Sequence, residues 1–586
     1  MELKRKHKPP SWKTSNTKMI PKKARPTVKD LRPIALTEIS YKLFMTLLKD
    51  EIEYHLMKNN EMKEVQAGFT KGGKTEDNIF ILQYCIEKCL SLKLNVKLKK
   101  HLIITSIDFA KAFDSIKREK IIAALKKYKV DPIIIDAIAN IYDGDNTMVK
   151  VNEEIEKEIP VTSGIKQGCT GSTVLFKLIT YLIIQEIEKE ENGFKDEKFN
   201  IGLLFFADDG LILSQSVEEA KRDIQRIIRI SAEFGLDINK DKSNIITINY
   251  KEPLDNIEGI KTVESLKYLG MKLNGGRDIF RVHKQEMYKK AQKLANTTYS
   301  VIAKSCNRLL IGKTFWKNLA LPSFLYGAGL MNMTQTEIEK LQVIENKVYR
   351  QILGAPKYAT TATLRGKVGA SSMKARIIKE RIMFVKGIYE GKNSLLKEII
   401  RAMIENKDSK WMKTTNKYAE EIGIKIKDVK FMKKEELKKK IDEYDTRKWK
   451  EEIEKKSSLK IYKEFKTIIG HQDETIYDNT IASQLLYRAR ANVLDLNDRK
   501  RFVQERTNCP LCNTENEDMK HFLLECEKLT EIRMENIMLQ FPMEQNLENT
   551  IGNFLFSNNS IEINKETLYK LWKRRKRLID TTQIDQ

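Results

Sequence analysis

The sequence predicts an α+β fold in its first half, a mainly helical region after it, and a small metal-binding element near the C-terminus. Three observations carry this. Up to about Asn274, short β-branched runs alternate with stretches of helical periodicity, and no Rossmann glycine pattern is present. From Arg277 the apolar spacing is mostly helical. Further on, Cys509, Cys512, His521 and Cys526 fall close together.

The elements follow in order. Leu102–Ile107 is a short β-branched run, as expected of a buried strand. Lys117–Lys127 and Thr173–Lys189 have helical spacing. Ile201–Phe206 and Gly210–Leu213 flank Ala207-Asp208-Asp209 and predict a β-hairpin with carboxylates at its tip. Val217–Phe234 places Ala220, Ile224, Ile227, Ile228 and Ser231 on one face of a helix that Gly235 ends. Asp237–Ile248 continues as loop and strand, and Tyr268–Leu273 reads as another short strand. Lys407–Lys456 is dense in Lys and Glu, which predicts solvated helices or a linker.

At 586 residues the chain is too long for one compact core, so several domains are expected. With 106 Lys and Arg against 81 Asp and Glu, the formal charge is +25, which favours a polyanionic partner, nucleic acid first. No uninterrupted apolar run reaches membrane-spanning length. Met1–Pro10 is basic without an apolar core, unlike a secretory signal. Seven cysteines, four scattered and three clustered, do not look like a disulfide framework and fit a reducing intracellular compartment.

The chemistry sits in the acids. Asp108 ends a buried apolar strand, and Asp208 and Asp209 lie adjacent between two more. Burying charge is costly unless it is paired or metal-bound. Three converging carboxylates repel, and Mg2+ relieves that while leaving positions for phosphate oxygens. Two such ions about 3.5–4 Å apart clamp the attacking and leaving oxygens of an in-line phosphoryl transfer. A lone Asp-Asp pair is usually a surface turn. Acids at several strand ends in this order are much harder to obtain by chance.

The words around these acids resemble the motifs of reverse transcriptases. Ile107-Asp108-Phe109-Ala110-Lys111-Ala112-Phe113-Asp114 looks like the first palm motif. Gly164-Ile165-Lys166-Gln167-Gly168-Cys169 resembles the second, and Phe206-Ala207-Asp208-Asp209 the third. Gly235-Leu236-Asp237-Ile238-Asn239 with Lys242 resembles the segment that follows, and Tyr268-Leu269-Gly270 the primer-grip hairpin. Leu31–Leu36, Gln66-Ala67-Gly68-Phe69, Leu321–Gly327 and Arg350–Gly354 resemble finger and thumb segments of non-LTR (LINE-type) retrotransposons.

The resemblance implies a right-hand polymerase fold of fingers, palm and thumb. It divides the chain into a basic flexible N-terminus (1–26), fingers and palm (27–274), and helical thumb and connection (275–406). A Lys/Glu-rich region or linker (407–500) and the Cys/His element with its basic tail (501–586) complete it. The implied activity is copying of an RNA template into DNA from a primer 3′ end, with dNTPs and two Mg2+ ions held by Asp108, Asp208 and Asp209.

By the same resemblance Phe113 lies under the incoming sugar, where a bulky ring excludes a 2′-hydroxyl. Gln167 contacts the nucleotide beside Gly168, and Phe109, Arg32 and Lys71 complete the nucleotide site. Lys242 is a candidate proton donor to the leaving pyrophosphate. The sequence departs from the family at Thr170-Gly171-Ser172-Thr173, where a proline is common; Thr or Ser is expected to cap the following helix instead. Phe206 stands where Tyr is frequent.

Cys509, Cys512, His521 and Cys526 have C-x2-C-x8-H-x4-C spacing, which suits a structural tetrahedral Zn2+. Lys573–Arg577 is a basic run fit for phosphate contact or a nuclear address; with it, a nuclear location is favoured. LINE-type elements usually carry an endonuclease. The finger motifs begin almost at the N-terminus and 60 residues follow Cys526, so a truncated element, one product of a divided gene or a fragment depending on a separate endonuclease is expected. An alternative is a decayed or repurposed element protein that binds nucleic acid without polymerising. A group II intron maturase-like protein shares the palm, but the thumb wording and the cysteine cluster argue against it.

Overall fold

The computed structural model describes residues 8–90, 101–151, 154–190, 192–405, 409–470, 478–500, 507–538, 546–557 and 560–584. The chain divides into two compact units, one of Met1–His283 with Ile388–Lys413 and one of Lys284–Gly387 with Thr414–Gln586.

The first unit begins with β1 (Thr14–Pro21) and β2 (Leu31–Leu36), followed by helices α1 (Ile39–Lys58) and α2 (Thr75–Leu90). β3 (Leu102–Ile107) leads into α3 (Ala112–Ser115), α4 (Arg118–Lys127) and α5 (Pro132–Tyr142). β4 (Asn146–Val151) and β5 (Glu154–Pro160) precede α6 (Ser172–Glu188). The short strands β6 (Phe194–Lys195) and β7 (Asn200–Ile201) come before β8 (Leu203–Phe206) and β9 (Asp209–Ser214). Then follow α7 (Val217–Glu233), β10 (Asn244–Ile248), β11 (Asn256–Ile257), β12 (Ile260–Thr262), β13 (Ser265–Tyr268) and β14 (Met271–Asn274).

Six of these strands form one sheet in the order β11-β12-β10-β3-β9-β8, and β3 is antiparallel to both of its neighbours. The β-branched run Leu102–Ile107 explains that central position, since only Ser106 of the six residues is not buried. α6 is buried almost all round, from Val174 to Ile184, as a helix with apolar residues on every side must be. α7 is two-faced: Ala220, Ile224, Ile227 and Ile230 face the core, and Ser216 caps it by accepting from the Glu219 N–H.

Three sequence expectations need correction. Residues 14–21 are not a flexible tail, because β1 sits inside a second sheet of order β2-β1-β4-β5, antiparallel to β2 and parallel to β4. Its inward residues are Ser15 and Thr17, and Thr17 shares a hydrogen bond with Thr147 at 2.7 Å. Polar inward positions hid the strand from an apolar-period reading; residues 1–7 lie outside the described residues. No Thr or Ser caps α6; the capping position is Gly171, and Ser172 instead donates to the Lys166 carbonyl at 2.7 Å. Tyr268–Leu273 is not one strand but a hairpin whose turn residues Leu269 and Gly270 both have positive φ.

The second unit is helical. Gln335–Leu353 opens with a capping box between Thr334 and Glu337. The Lys/Glu-rich stretch contains the helix Lys434–Glu454, which buries Leu437, Ile441, Tyr444, Trp449 and Ile453 together with one charged residue, Asp445. Trp449 Nε1 donates to the Ala362 carbonyl at 2.8 Å, and Arg365 pairs with buried Asp445 at 2.8 Å. Among the described residues no helix is long and apolar enough to cross a membrane.

One buried fork in the first unit places the loop between β5 and α6. Asp145 is fully enclosed, accepts from Arg118 at 2.8 Å and forms an ion pair with Lys166 at 2.7 Å. Arg118 also donates to the carbonyls of Tyr142, Val161 and Gly164. Removing the acid strands two cations in a buried site. Asp145→Ala is therefore expected to cost about 3–5 kcal/mol, read as a lowered urea midpoint, whereas the exposed pair Lys448–Glu451 should contribute under about 1 kcal/mol.

Candidate active site and metal centre

The antiparallel register of β3 and β9 pairs Ile107 with Gly210. The ladder ends there, with Asp108 following β3 and Asp209 opening β9, close enough for the charge of Asp108 to act on Asp209. β8 and β9 close through the two-residue turn Ala207-Asp208, with Phe206 paired to Asp209. Residues a hundred positions apart in sequence are thus delivered to one sheet end.

The carboxylates feel one another. Asp209 reaches solvent, yet desolvation first, and then Asp208 and Asp108, push its pKa up to about 6. Desolvation also raises Asp108, Asp208 adds to the rise, and Lys242 opposes it from 3.8 Å. Shifts of this kind, from burial plus neighbouring like charge, mark a candidate functional site. Their oxygens are more widely set than those of the cysteine cluster described below, in which all ligand atoms lie within 4.8 Å of one another.

Two further segments are fastened to the Asp108 strand end. On one side Asn239 donates to the Asp108 carbonyl at 2.8 Å, Ala110 to the Asp237 carbonyl at 2.8 Å, and the Asp108 N–H to Ser243 Oγ at 3.2 Å. Lys242 owes its place beside Asp108 to this zipper. On the other side Ile165 donates to the Phe113 carbonyl and Gly164 to the Ile116 carbonyl, both at 2.8 Å. Gly164 has φ +79°, and a Cβ there would meet Asp114 backbone oxygen at 2.6 Å, so no other residue fits without movement. Gln167 Nε2 then donates to Asp114 Oδ1 at 3.0 Å. Gly168, at φ +101°, sits against the Ala35 carbonyl of β2, and Ala35 donates to the Gln167 carbonyl at 2.7 Å.

The remaining candidates divide. Phe113 is half-buried, stacked on Phe176 at 4.8 Å between centroids and met edge-on by Phe69 at 6.0 Å. Phe109 does not line the site as expected: its ring is buried and stacks on Phe205 at 6.3 Å, because the residue after the strand end alternates back into the core. Arg32 on β2 and Lys71 in the turn before α2 are both exposed. Two residues escaped the sequence reading. Asp114 anchors Gln167, and the charge of Lys22, at the end of the β1 hairpin arm, acts on both Asp108 and Asp114. Only the hairpin geometry reveals Lys22, since one lysine among many carries no signal.

In the second unit Cys509, Cys512, His521 and Cys526 converge, three of them buried. Cys509 Sγ and Cys526 Sγ are 3.8 Å apart, and Cys512 Sγ and His521 Nε2 are 3.4 Å apart. A tetrahedron with Zn–S bonds of about 2.3 Å has S–S edges of about 3.8 Å, so the donor set fits Zn2+. Glu515 lies 3.2 Å from His521 Nδ1 and leaves Nε2 facing the sulfurs. The thiolate-forming groups raise the His521 pKa against the opposing effect of desolvation. Beside this cluster Arg575 forms a bidentate pair with Glu517, at 2.5 and 2.6 Å, both groups buried. Arg575 is thereby withdrawn from the basic run 573–577, whose other four residues are exposed.

Residues 20–273 match the family described as reverse transcriptase (RNA-dependent DNA polymerase). The Pol polyprotein of the type-1 retrotransposable element R2 of Nasonia vitripennis is 25% identical over 334 residues, 52% of this chain and 31% of that protein. The Pol polyprotein of the type-2 element R2DM of Drosophila melanogaster is 23% identical over 280 residues, 45% of this chain and 25% of that one. The matched part thus spans a third or less of these relatives. Apo telomerase from Candida tropicalis overlays 69% of this chain and 68% of its own at 14% identity, with a TM-score of 0.37, too loose a superposition to carry an argument. Asp108, Asp208 and Asp209 all lie inside the region that matches the reverse transcriptase family, and that part of the chain is similar to the Pol proteins of R2 retrotransposable elements.

Proposed function

We propose that this protein copies RNA into DNA from a primer 3′ end, with Asp108, Asp208 and Asp209 as the acids that hold divalent cations. The carrying observation is the β3–β9 register, which brings the strand end before Asp108 beside the Asp209 end of β9, with the Asp209 pKa raised by desolvation and then by Asp208 and Asp108. Mg2+ bound there would supply Lewis-acid activation of a 3′-hydroxyl and neutralisation of the departing pyrophosphate. The chain's own residues do the rest. Lys242, exposed and 3.8 Å from Asp108, is positioned to give a proton to a leaving phosphate oxygen. Lys22, Arg32 and Lys71 present positive charge on the finger elements for a triphosphate.

Phe113 is the proposed sugar selector. Its ring is braced by Phe176 and Phe69, so it cannot rotate aside to admit a 2′-hydroxyl. Gln167, tethered to Asp114, is the proposed contact to the nucleotide beside the template base. The proposed partners are an RNA template, a DNA primer or target and dNTPs, with a separate endonuclease and a nuclear location as further proposals. The Cys509 cluster is proposed to hold one structural Zn2+ that staples the C-terminal helices. A non-polymerising nucleic-acid binder is the competing reading; three carboxylates kept together at a cost in repulsion weigh against it.

Primer extension decides between these. With primer–template, dNTPs and Mg2+, wild-type protein should incorporate label, and Asp208→Asn should lower incorporation by about 10²–10³-fold or more; binding without incorporation by the wild type would leave only the competing reading. Phe113→Ala should raise ribonucleotide use relative to deoxynucleotide by about 10–100-fold, measured as the ratio of kcat/KM values. Elemental analysis should find one zinc per chain, and His521→Ala should release it; a zinc content that is unchanged in the variant would exclude the cluster.

A further inference from the structure

The third palm motif is aimed by a residue from a different segment of the chain. Ala207, immediately before Asp208, has φ +59°, a left-handed conformation that non-glycine residues avoid. A strained backbone persists only where its surroundings over-determine it. Here the surroundings are the side chain of Gln66, 1% exposed. Its Oε1 accepts from the Ala207 N–H at 2.9 Å, and its Nε2 donates to the Ala207 carbonyl at 3.1 Å. One amide thus grips both polar groups of the strained residue.

The amide's other capacity is also used. Oε1 accepts from the Gly68 N–H at 2.9 Å, and Nε2 donates to Thr180 Oγ1 at 3.0 Å. Thr180 itself donates to the Lys177 carbonyl at 2.9 Å, so its oxygen is free to accept and the amide has one orientation. The backbone on either side of Gln66 reinforces the grip: Phe205 donates to the Val65 carbonyl at 2.8 Å and Ala67 to the Phe205 carbonyl at 3.0 Å. Gly68 is packed so closely that a Cβ would lie 2.0 Å from the Ala207 nitrogen. Only an amide meets this demand. A carboxylate cannot donate, and an apolar side chain leaves both Ala207 groups buried and unpaired.

We infer that Gln66 is a positioning residue for the acidic turn: by clamping both backbone groups of Ala207 it fixes the direction of the Asp208 and Asp209 carboxylates, and so the affinity of the site for its divalent cations. The inference rests on the polymerase reading for its consequence in catalysis but on geometry alone for its consequence in metal affinity. Groups that orient metal-binding side chains typically change metal affinity or activity by about 10–100-fold.

The test uses full-length protein with Mn2+ as the probe, titrated by electron paramagnetic resonance, with Asp208→Asn defining the background from other sites. Gln66→Met, of similar volume and unable to pair with Ala207, should weaken Mn2+ binding by about 10-fold or more. Thr180→Val, which removes one of the four contacts of Gln66, should give a smaller shift in the same direction and guards against misfolding of the first variant. In primer extension, both variants should lower kcat and raise the Mg2+ concentration at half-maximal rate, with affinity for primer–template within about 2-fold of wild type. Mn2+ affinity within 2-fold of wild type in both variants overturns the inference. A wild type that binds Mn2+ but incorporates nothing would sink the polymerase reading and leave the comparison of Gln66 variants intact. A wild type with no Mn2+ binding above the Asp208→Asn background would overturn both.

Discussion

The antiparallel pairing of β3 with β9 is the constraint from which the site follows. Its ladder runs Ile103–Ser214 to Ile107–Gly210, and every residue of both strands except Ser106 and the terminal Asp209 is buried. A slip by one residue would turn Ile104 and Leu213 outward and move Asp108 to the other face. Burial of the flanking apolar residues therefore holds the acids in register, and the hydrophobic core and the chemistry share one device. The cost is visible in Asp209, whose pKa is raised first by desolvation and then by Asp208 and Asp108.

Around that pair the chain works by fastening. The segments at 163–168, 235–243 and 65–68 each make backbone or amide hydrogen bonds to a strand end or turn. The Asp145 fork secures the first of these from beneath. Such bonds are individually modest, yet left unmade in a buried setting each is expensive. This explains why short words of sequence, rather than long ones, carry the site: each word is one clamp with its glycine or amide in the only position that fits.

The second unit answers its charge differently. Lys and Glu dominate the surface of the helix Lys434–Glu454, while Arg365, Asp445, Arg575 and Glu517 are buried in pairs. Charge density along the sequence did not separate these roles. Arg575 sits within a run of five basic residues and is the one turned inward, because helical periodicity points it at Glu517 beside the cysteine cluster. The cysteine sulfurs stand at spacings that suit a tetrahedral ion, as the C-x2-C-x8-H-x4-C pattern predicts.

Sequence by itself determined the strand at 102–107, the acidic hairpin, the helix after it and the Cys/His ligand set. In each case the signal is local: β-branched runs, a two-residue turn between apolar strands, 3.6-residue periodicity, or fixed ligand spacing. Only the tertiary structure decided that Thr14–Pro21 is a strand and that Phe109 turns inward. It also decided that the charge of Lys22 acts on Asp108 and that Gln66 grips Ala207. Those facts depend on partners far along the chain. A polar strand, an alternating ring, a solitary lysine and a buried amide acquire meaning only from what lies across the fold from them, and no local pattern encodes that.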